Sequence, residues 1–72
     1  MPLTERRPVR IDYTNWRGER EWRRILPLRL IFDSNEFHPE PQWLLVATDL
    51  DKAAERHFAM QDIHAWRPYS EE

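Results

Sequence analysis

The chain has 72 residues, a formal net charge of −2 and no cysteine. A chain of this length makes one small domain that buries only about 60% of its unfolded surface, so its four Trp, three Phe and two Tyr are expected mainly in the core. The absence of cysteine excludes disulfides and thiolate metal sites. The N-terminus has no apolar leader, and no apolar run approaches the roughly 18 residues of a membrane span. These features predict a cytoplasmic protein without membrane contact.

The first third of the chain predicts two strands joined by a tight turn. Apolar and polar residues alternate over 9–14, which is typical of a half-buried strand. Residues 15–19 contain the only glycine, Gly18, and predict a hairpin turn. A long second strand follows over 22–32. Its even-numbered residues are expected to face one side of the sheet, and its odd-numbered residues the other, without interruption along the strand. Pro27 lacks a backbone donor and therefore predicts an edge position, a bulge or a bend in this strand.

The rest of the chain alternates loops with short strands. Residues 33–41 are polar and contain two prolines, which predicts a surface loop. Residues 42–48 are almost continuously apolar, which is typical of a central strand covered on both faces. The Asp residues of 49–55 favour a turn, because Asp hydrogen-bonds its own local backbone. A short strand over 56–60 follows, and 61–69 fits either a last strand, which we favour, or a helical turn.

Several short strands without a convincing long helix predict an all-β fold, a small β-barrel of about five strands that removes its own sheet edges. The domain is expected over residues 8–68. Residues 1–7 are expected to form a flexible N-terminal arm, and 69–72 a flexible acidic tail.

The sequence offers little for catalysis. Neither Ser has a neighbouring His and carboxylate in an arrangement that would activate it as a nucleophile, and a single Gly cannot supply a phosphate-binding loop. His38, His57 and His64 are widely separated and fit no common zinc spacing. We therefore expect no enzymatic activity, no cofactor and no metal site.

The charges are distributed unevenly along the chain. The first 29 residues carry eight Arg against four acidic residues, and from Leu30 onward nine acidic residues face three basic ones. The two halves either neutralise each other across the sheet or leave an Arg-lined face for an anionic ligand, since Arg suits planar contact with phosphate. The sequence leaves both interpretations open.

Taken together, the segments resemble the WYL domain, a family named for a Trp-Tyr-Leu strand. The resemblance extends over roughly residues 9–63 and rests on the order and spacing of short motifs. These are Val9-Arg10-Ile11-Asp12-Tyr13, Gly18-Glu19, Arg24-Ile25-Leu26-Pro27-Leu28, Trp43-Leu44-Leu45-Val46-Ala47, Arg56-His57-Phe58 and Ile63.

The resemblance implies a strongly bent barrel of the Sm-like or Src-homology-3-like type. It also implies a regulatory module that senses a nucleotide or short single-stranded nucleic acid and takes part in dimerisation. Domains of this kind mostly follow a helix-turn-helix in bacterial transcription regulators, including those of phage defence. This sequence contains no helix-turn-helix, so it is expected to be a separate sensor module.

Departures from the family pattern sharpen the site prediction. Leu44 stands where the family has its Tyr, and Ala59 and Asp62 occupy positions that are often basic, which weakens the expected attraction for phosphate. Arg24 and Arg56 still match. The predicted ligand-binding residues are therefore Arg24, Leu44, Arg56 and His57, with Trp16 as the candidate for base stacking.

An alternative interpretation belongs to a different class of function. Leu44 and Val46 share one side of the third strand, and a partner could cover them as an apolar patch. The chain would then be a protein-interaction or oligomerisation module, with a second copy or another protein as its partner.

Overall fold

The computed structural model describes residues 7–68. The predicted tail and all of the predicted arm except Arg7 lie outside these residues. The described part is all-β, as predicted, with one antiparallel sheet in the order β4-β3-β2-β1-β5. Its elements are β1 (Val9–Thr14), β2 (Arg20–Asp33), β3 (Gln42–Asp49), β4 (Ala54–Ala59), a 3-10 turn (Met60–Asp62) and β5 (Ile63–Pro68).

The predicted strands are all present, and the segment for which a strand or a helical turn is predicted forms both, a 3-10 turn that ends at Asp62 and then the strand Ile63–Pro68. Strands β4 and β5 lie at opposite edges of the sheet. Since no pairing joins these two strands within residues 7–68, the sheet is not closed by hydrogen bonds. No helix in the described part is long and apolar enough to cross a membrane.

Strand β2 bends and contains a bulge. Its first part pairs with β1 from Arg20 to Ile25, and its second part pairs with β3 from Ile25 to Asp33. The register shifts between Pro27 and Arg29, which confirms the irregularity predicted at the proline. An extra residue in a strand inverts the alternation of sides. The uninterrupted alternation predicted for this strand is therefore wrong.

The core forms between strands that are not neighbours in the sheet. Six buried residues make up the main cluster: Ile11, Tyr13, Ile25, Leu45, Ala47 and Phe58. The rings of Tyr13 and Phe58 meet edge to face at 5.0 Å, and the Ala59 amide donates to the Tyr13 hydroxyl oxygen at 3.2 Å. Because Tyr13 is in β1 and Phe58 and Ala59 are in β4, these contacts show that the sheet curls over its own core.

Strand β3 lies inside the sheet, as its apolar run predicted. All four residues from Leu44 to Ala47 are buried, on both faces of the strand.

By contrast, the expectation that the aromatic residues are mainly core is wrong. All four Trp are between 41% and 59% exposed, and Tyr13 and Phe58 are the buried rings among residues 7–68.

Candidate ligand-binding site

A hairpin loop over residues 15–19 holds Trp16 away from the core. The Asn15 side-chain oxygen accepts hydrogen bonds from the amides of Arg17, at 2.9 Å, and Glu19, at 3.0 Å. Gly18 has a φ of 82°, which confirms its predicted role in the turn. The loop leaves the Trp16 side chain 59% exposed.

The β2–β3 loop reaches both this hairpin and strand β4. Asn35 shapes the loop, because its side-chain oxygen accepts from the amides of Phe37 and His38 at 2.9 and 2.8 Å. The Phe37 ring stacks on Trp16 with centroids 5.2 Å apart and planes 24° apart. Asn35 Nδ2 lies 3.4 Å from His57 Nδ1. The loop therefore connects the aromatic side chain of one hairpin to the edge strand β4.

A turn between β3 and β4 is organised by Asp49, which is 2% exposed. One carboxylate oxygen accepts from the amides of Asp51, at 3.0 Å, and Lys52, at 3.2 Å. The other accepts from Arg23 Nη1 at 3.4 Å. The sequence predicts that the Asp residues of this turn hydrogen-bond their own local backbone, and this prediction is confirmed for Asp49.

These loops and the edge strand surround a cleft of about 510 Å³. This volume lies within the range of roughly 300–1,000 Å³ found for small-ligand sites. Four aromatic, three cationic, three acidic, two His and two Asn residues line the cleft. They are Tyr13, Trp16, Phe37 and Phe58; Arg23, Lys52 and Arg56; Glu36, Asp49 and Glu55; His38 and His57; and Asn15 and Asn35.

The charges in the cleft are only partly neutralised by one another. Arg23 is held by Asp49 at 3.4 Å, and Glu55 pairs with Arg29, outside the cleft, at 3.7 Å. Lys52 and Arg56 form no ion pair with any residue between 7 and 68. An anion in the cleft would therefore meet two cations that are not already bound to carboxylates.

Two further hydrogen-bond donors, on Arg23 and Tyr13, line the cleft and are more deeply buried. Arg23 Nε is buried and has no hydrogen-bond partner among the described residues. Burial raises the pKa of Tyr13 above its ordinary value, outweighing the opposite effect of the hydrogen bond from Ala59, so the phenol stays protonated near neutral pH. Its oxygen accepts from the Ala59 amide, which leaves the hydroxyl proton for another acceptor.

The structure brings together three of the five predicted site residues, namely Trp16, Arg56 and His57. Arg24 does not line the cleft. Its guanidinium Nε donates to Asp51 Oδ1 at 3.1 Å, and this contact lowers the pKa of the Asp51 carboxyl.

Leu44 does not line the cleft either, because it is fully buried within the chain. Val46 is equally inaccessible. The expected apolar patch of these two residues is therefore wrong. Both faces of β3 from Leu44 to Ala47 are covered by the chain itself, so no partner is needed to shield these residues.

The sequence interpretation missed several residues that line the cleft, among them Arg23, Lys52 and Phe37. For Arg23 a signal was present, because it shares a side of β2 with Ile25, which is fully buried. Phe37 belongs to an irregular loop, where no periodicity indicates which way a side chain points. No three His, Asp or Glu side chains in the described part lie close enough together to hold a metal ion.

Comparison with known proteins shows the family of the chain. No curated protein and no solved structure matches the chain. The family model of the WYL domain matches residues 3–68, which include every strand of the sheet and the whole cleft. WYL domains are in general regulatory, ligand-sensing domains. With nearly its whole length matched, the chain belongs to the WYL domain family.

Proposed function

We propose that this protein is a non-catalytic sensor whose cleft binds a nucleotide or a short piece of single-stranded nucleic acid. The observation that carries the proposal is the placement of the stacked Trp16 and Phe37 beside Lys52 and Arg56 in one cleft. Aromatic rings stack on bases, and the two cations suit a phosphate.

The charge of the cleft favours a small ligand over a long strand. Proteins that follow an extended single strand use a continuous positive groove. Here three acidic side chains, Glu36, Asp49 and Glu55, line the same cleft as the three cations. A ligand with one phosphate gains from Lys52 and Arg56, whereas each further phosphate meets carboxylates.

Family membership supports a wider context for this sensor. We propose that it acts in the bacterial cytoplasm, in transcription regulation or phage defence, as WYL domains do. We also propose that the curled sheet is a small Sm-like barrel. The contacts from Tyr13 to Phe58 and Ala59, which join β1 to β4 across the core, support this shape.

Calorimetric titration tests the proposed function. Adenosine monophosphate and a labelled single-stranded pentanucleotide are titrated into the protein at low and at physiological salt. We expect adenosine monophosphate to bind and added salt to weaken its binding. Arg56→Gln should weaken binding, and Arg67→Gln, which removes an exposed cation outside the cleft, should not. Equal losses in both variants, or no binding by the wild type at low salt, would overturn the proposal.

A second candidate function, self-association, is favoured by a different surface. Phe32 and Trp43 are directly paired, their rings lie 5.3 Å apart, and both are more than half exposed. Leu30 lies next to them, is half exposed and pairs with the buried Leu45. The face of the β2–β3 hairpin that carries Leu45 therefore continues as an uncovered apolar surface to the end of the hairpin.

Light scattering after gel filtration separates the two candidates. A dimer that survives high salt and is lost in Trp43→Gln, but not in Trp66→Gln, would support self-association through this end. A monomer at all concentrations tested would exclude it and leave the ligand-sensing role unaffected.

A further inference from the structure

A second cleft of about 410 Å³ adjoins the first. Arg17, Glu19 and Glu21 line the second cleft alone, whereas four residues line both clefts. The shared residues are Asn15, Trp16, Arg23 and Lys52. The two clefts are therefore two compartments of one continuous depression in the surface.

Trp16 stands at the boundary between the compartments, and each side offers its own flat surface. Phe37 lines the first compartment and stacks on Trp16. Arg17 lines the second, and its guanidinium carbon lies 5.3 Å from the centroid of the Trp16 ring. Aromatic rings and guanidinium planes both stack on nucleobases. Each compartment thus has a surface on which one base can stack.

Two of the four cationic side chains lie at the junction, whereas all the acidic side chains line one compartment only. Arg23 and Lys52 line both compartments. The first compartment alone is lined by three acidic side chains and one cation, and the second alone by two acidic side chains and one cation. These are Glu36, Asp49, Glu55 and Arg56 in the first, and Glu19, Glu21 and Arg17 in the second. Over the whole depression acidic side chains outnumber cationic ones by five to four. A phosphate is therefore favoured at the junction and disfavoured at the outer ends.

We propose, as an extension of the ligand-sensing function above, that the preferred ligand is a dinucleoside monophosphate. One base stacks in each compartment, and the single phosphodiester lies at the junction near Lys52, which forms no ion pair with any residue between 7 and 68. The outer carboxylates select against a terminal phosphate and against a longer strand. The protein would then report short breakdown products of nucleic acid that end in hydroxyl groups.

A panel of four adenine compounds tests this inference: adenosine, adenosine monophosphate, the dinucleoside monophosphate ApA, and ApA with a 5′-phosphate. Calorimetry on the full chain at low salt gives the affinity of each. A second stacked base should make ApA bind about fivefold more tightly than adenosine monophosphate, or better. The 5′-phosphate should weaken ApA binding.

Two variants locate the contacts. Arg17→Gln should reduce the affinity for ApA to about that for adenosine monophosphate, and it should leave adenosine monophosphate binding unchanged. Lys52→Gln should weaken ApA and leave adenosine unchanged. Both side chains are exposed, so we expect both variants to fold, and Arg67→Gln serves as the matched control.

The outcomes separate this inference from the proposed function. If adenosine monophosphate binds but ApA binds no better, the two-compartment ligand is wrong and the sensor function stands. If the 5′-phosphate strengthens ApA binding, the selection by outer carboxylates is wrong. If no compound of the panel binds, both proposals fail.

Discussion

The burial of Leu44 gives the sharpest prediction about stability. This side chain is fully buried in the described chain, so Leu44→Ala leaves a cavity in addition to losing the transfer free energy of the removed atoms. Substitutions of this kind cost about 2–5 kcal/mol. A domain of this length has a total free energy of unfolding of about 4–11 kcal/mol. The single truncation should therefore remove a large part of the stability.

Leu30→Ala is the matched control, because it makes the same chemical change at a site that is 52% exposed. We expect a loss below about 1 kcal/mol there. In a domain of this size each kcal/mol shifts Tm by about 4–8 °C, so the Tm values of the two variants should differ by at least about 4 °C.

Calorimetric and urea unfolding of the wild type and the two variants measure these changes. A loss for Leu44→Ala no larger than that for Leu30→Ala would refute the conclusion that β3 is covered on both faces. It would also restore Leu44 as a candidate surface residue. On the same reasoning, Leu44→Asp should prevent folding rather than split a dimer, because it buries an unpaired carboxylate.

Three further predictions concern local features. Tyr13→Phe keeps the ring but leaves the buried amide of Ala59 without its acceptor, so thermal unfolding should show a loss of about 1–3 kcal/mol. Gly18→Ala forces an L-residue to a φ of 82° with no steric clash nearby, and should cost about 1 kcal/mol in the same assay. The hydrogen bonds from Arg20 lower the pKa of Asp12 below its ordinary 3.8. The stability difference between wild type and Asp12→Asn should therefore be present at pH values well above the ordinary pKa of 3.8 and shrink as the pH falls through the lowered pKa; a difference that does not change with pH in this acidic range would contradict this pairing.

Periodicity predicted the strands but not the sides of the longest one. The alternation over 9–14 and the apolar run over 42–48 correspond closely to β1 and β3. In β2 the bulge after Pro27 inverts the alternation, and a proline in sequence alone does not say whether a bulge, a bend or an edge follows. Beyond such a position, the face of the sheet on which a residue lies cannot be deduced by counting from a residue before it.

The site was predictable only where a residue lies on a regular strand or in a turn with a clear signal. Three of the residues predicted to bind a ligand, Arg56 and His57 in β4 and Trp16 beside the only glycine, line the cleft. The family pattern indicates Arg24 and not Arg23, whereas the geometry turns Arg23 toward the cleft and pairs Arg24 with Asp51. Phe37 depends on the fold of a loop onto another hairpin, a contact between residues far apart in sequence that no local pattern encodes.

The aromatic residues were misplaced for a related reason. A chain of this size has room for few large side chains in its core, and Tyr13 and Phe58 with aliphatic residues fill it. The Trp residues then lie in a loop (Trp16), near the ends of strands (Trp22 and Trp43) and within the edge strand β5 (Trp66).

Chemical-shift mapping by NMR, with adenosine monophosphate titrated into the isotopically labelled chain, tests the position of the ligand site most directly. The cleft predicts that the largest shifts fall on the Trp16 indole N–H and on the backbone amides of Phe37, Lys52, Arg56 and His57. Shifts centred on Arg24 and Asp51 or on Trp43, or no shifts at millimolar ligand, would contradict the site described for this protein.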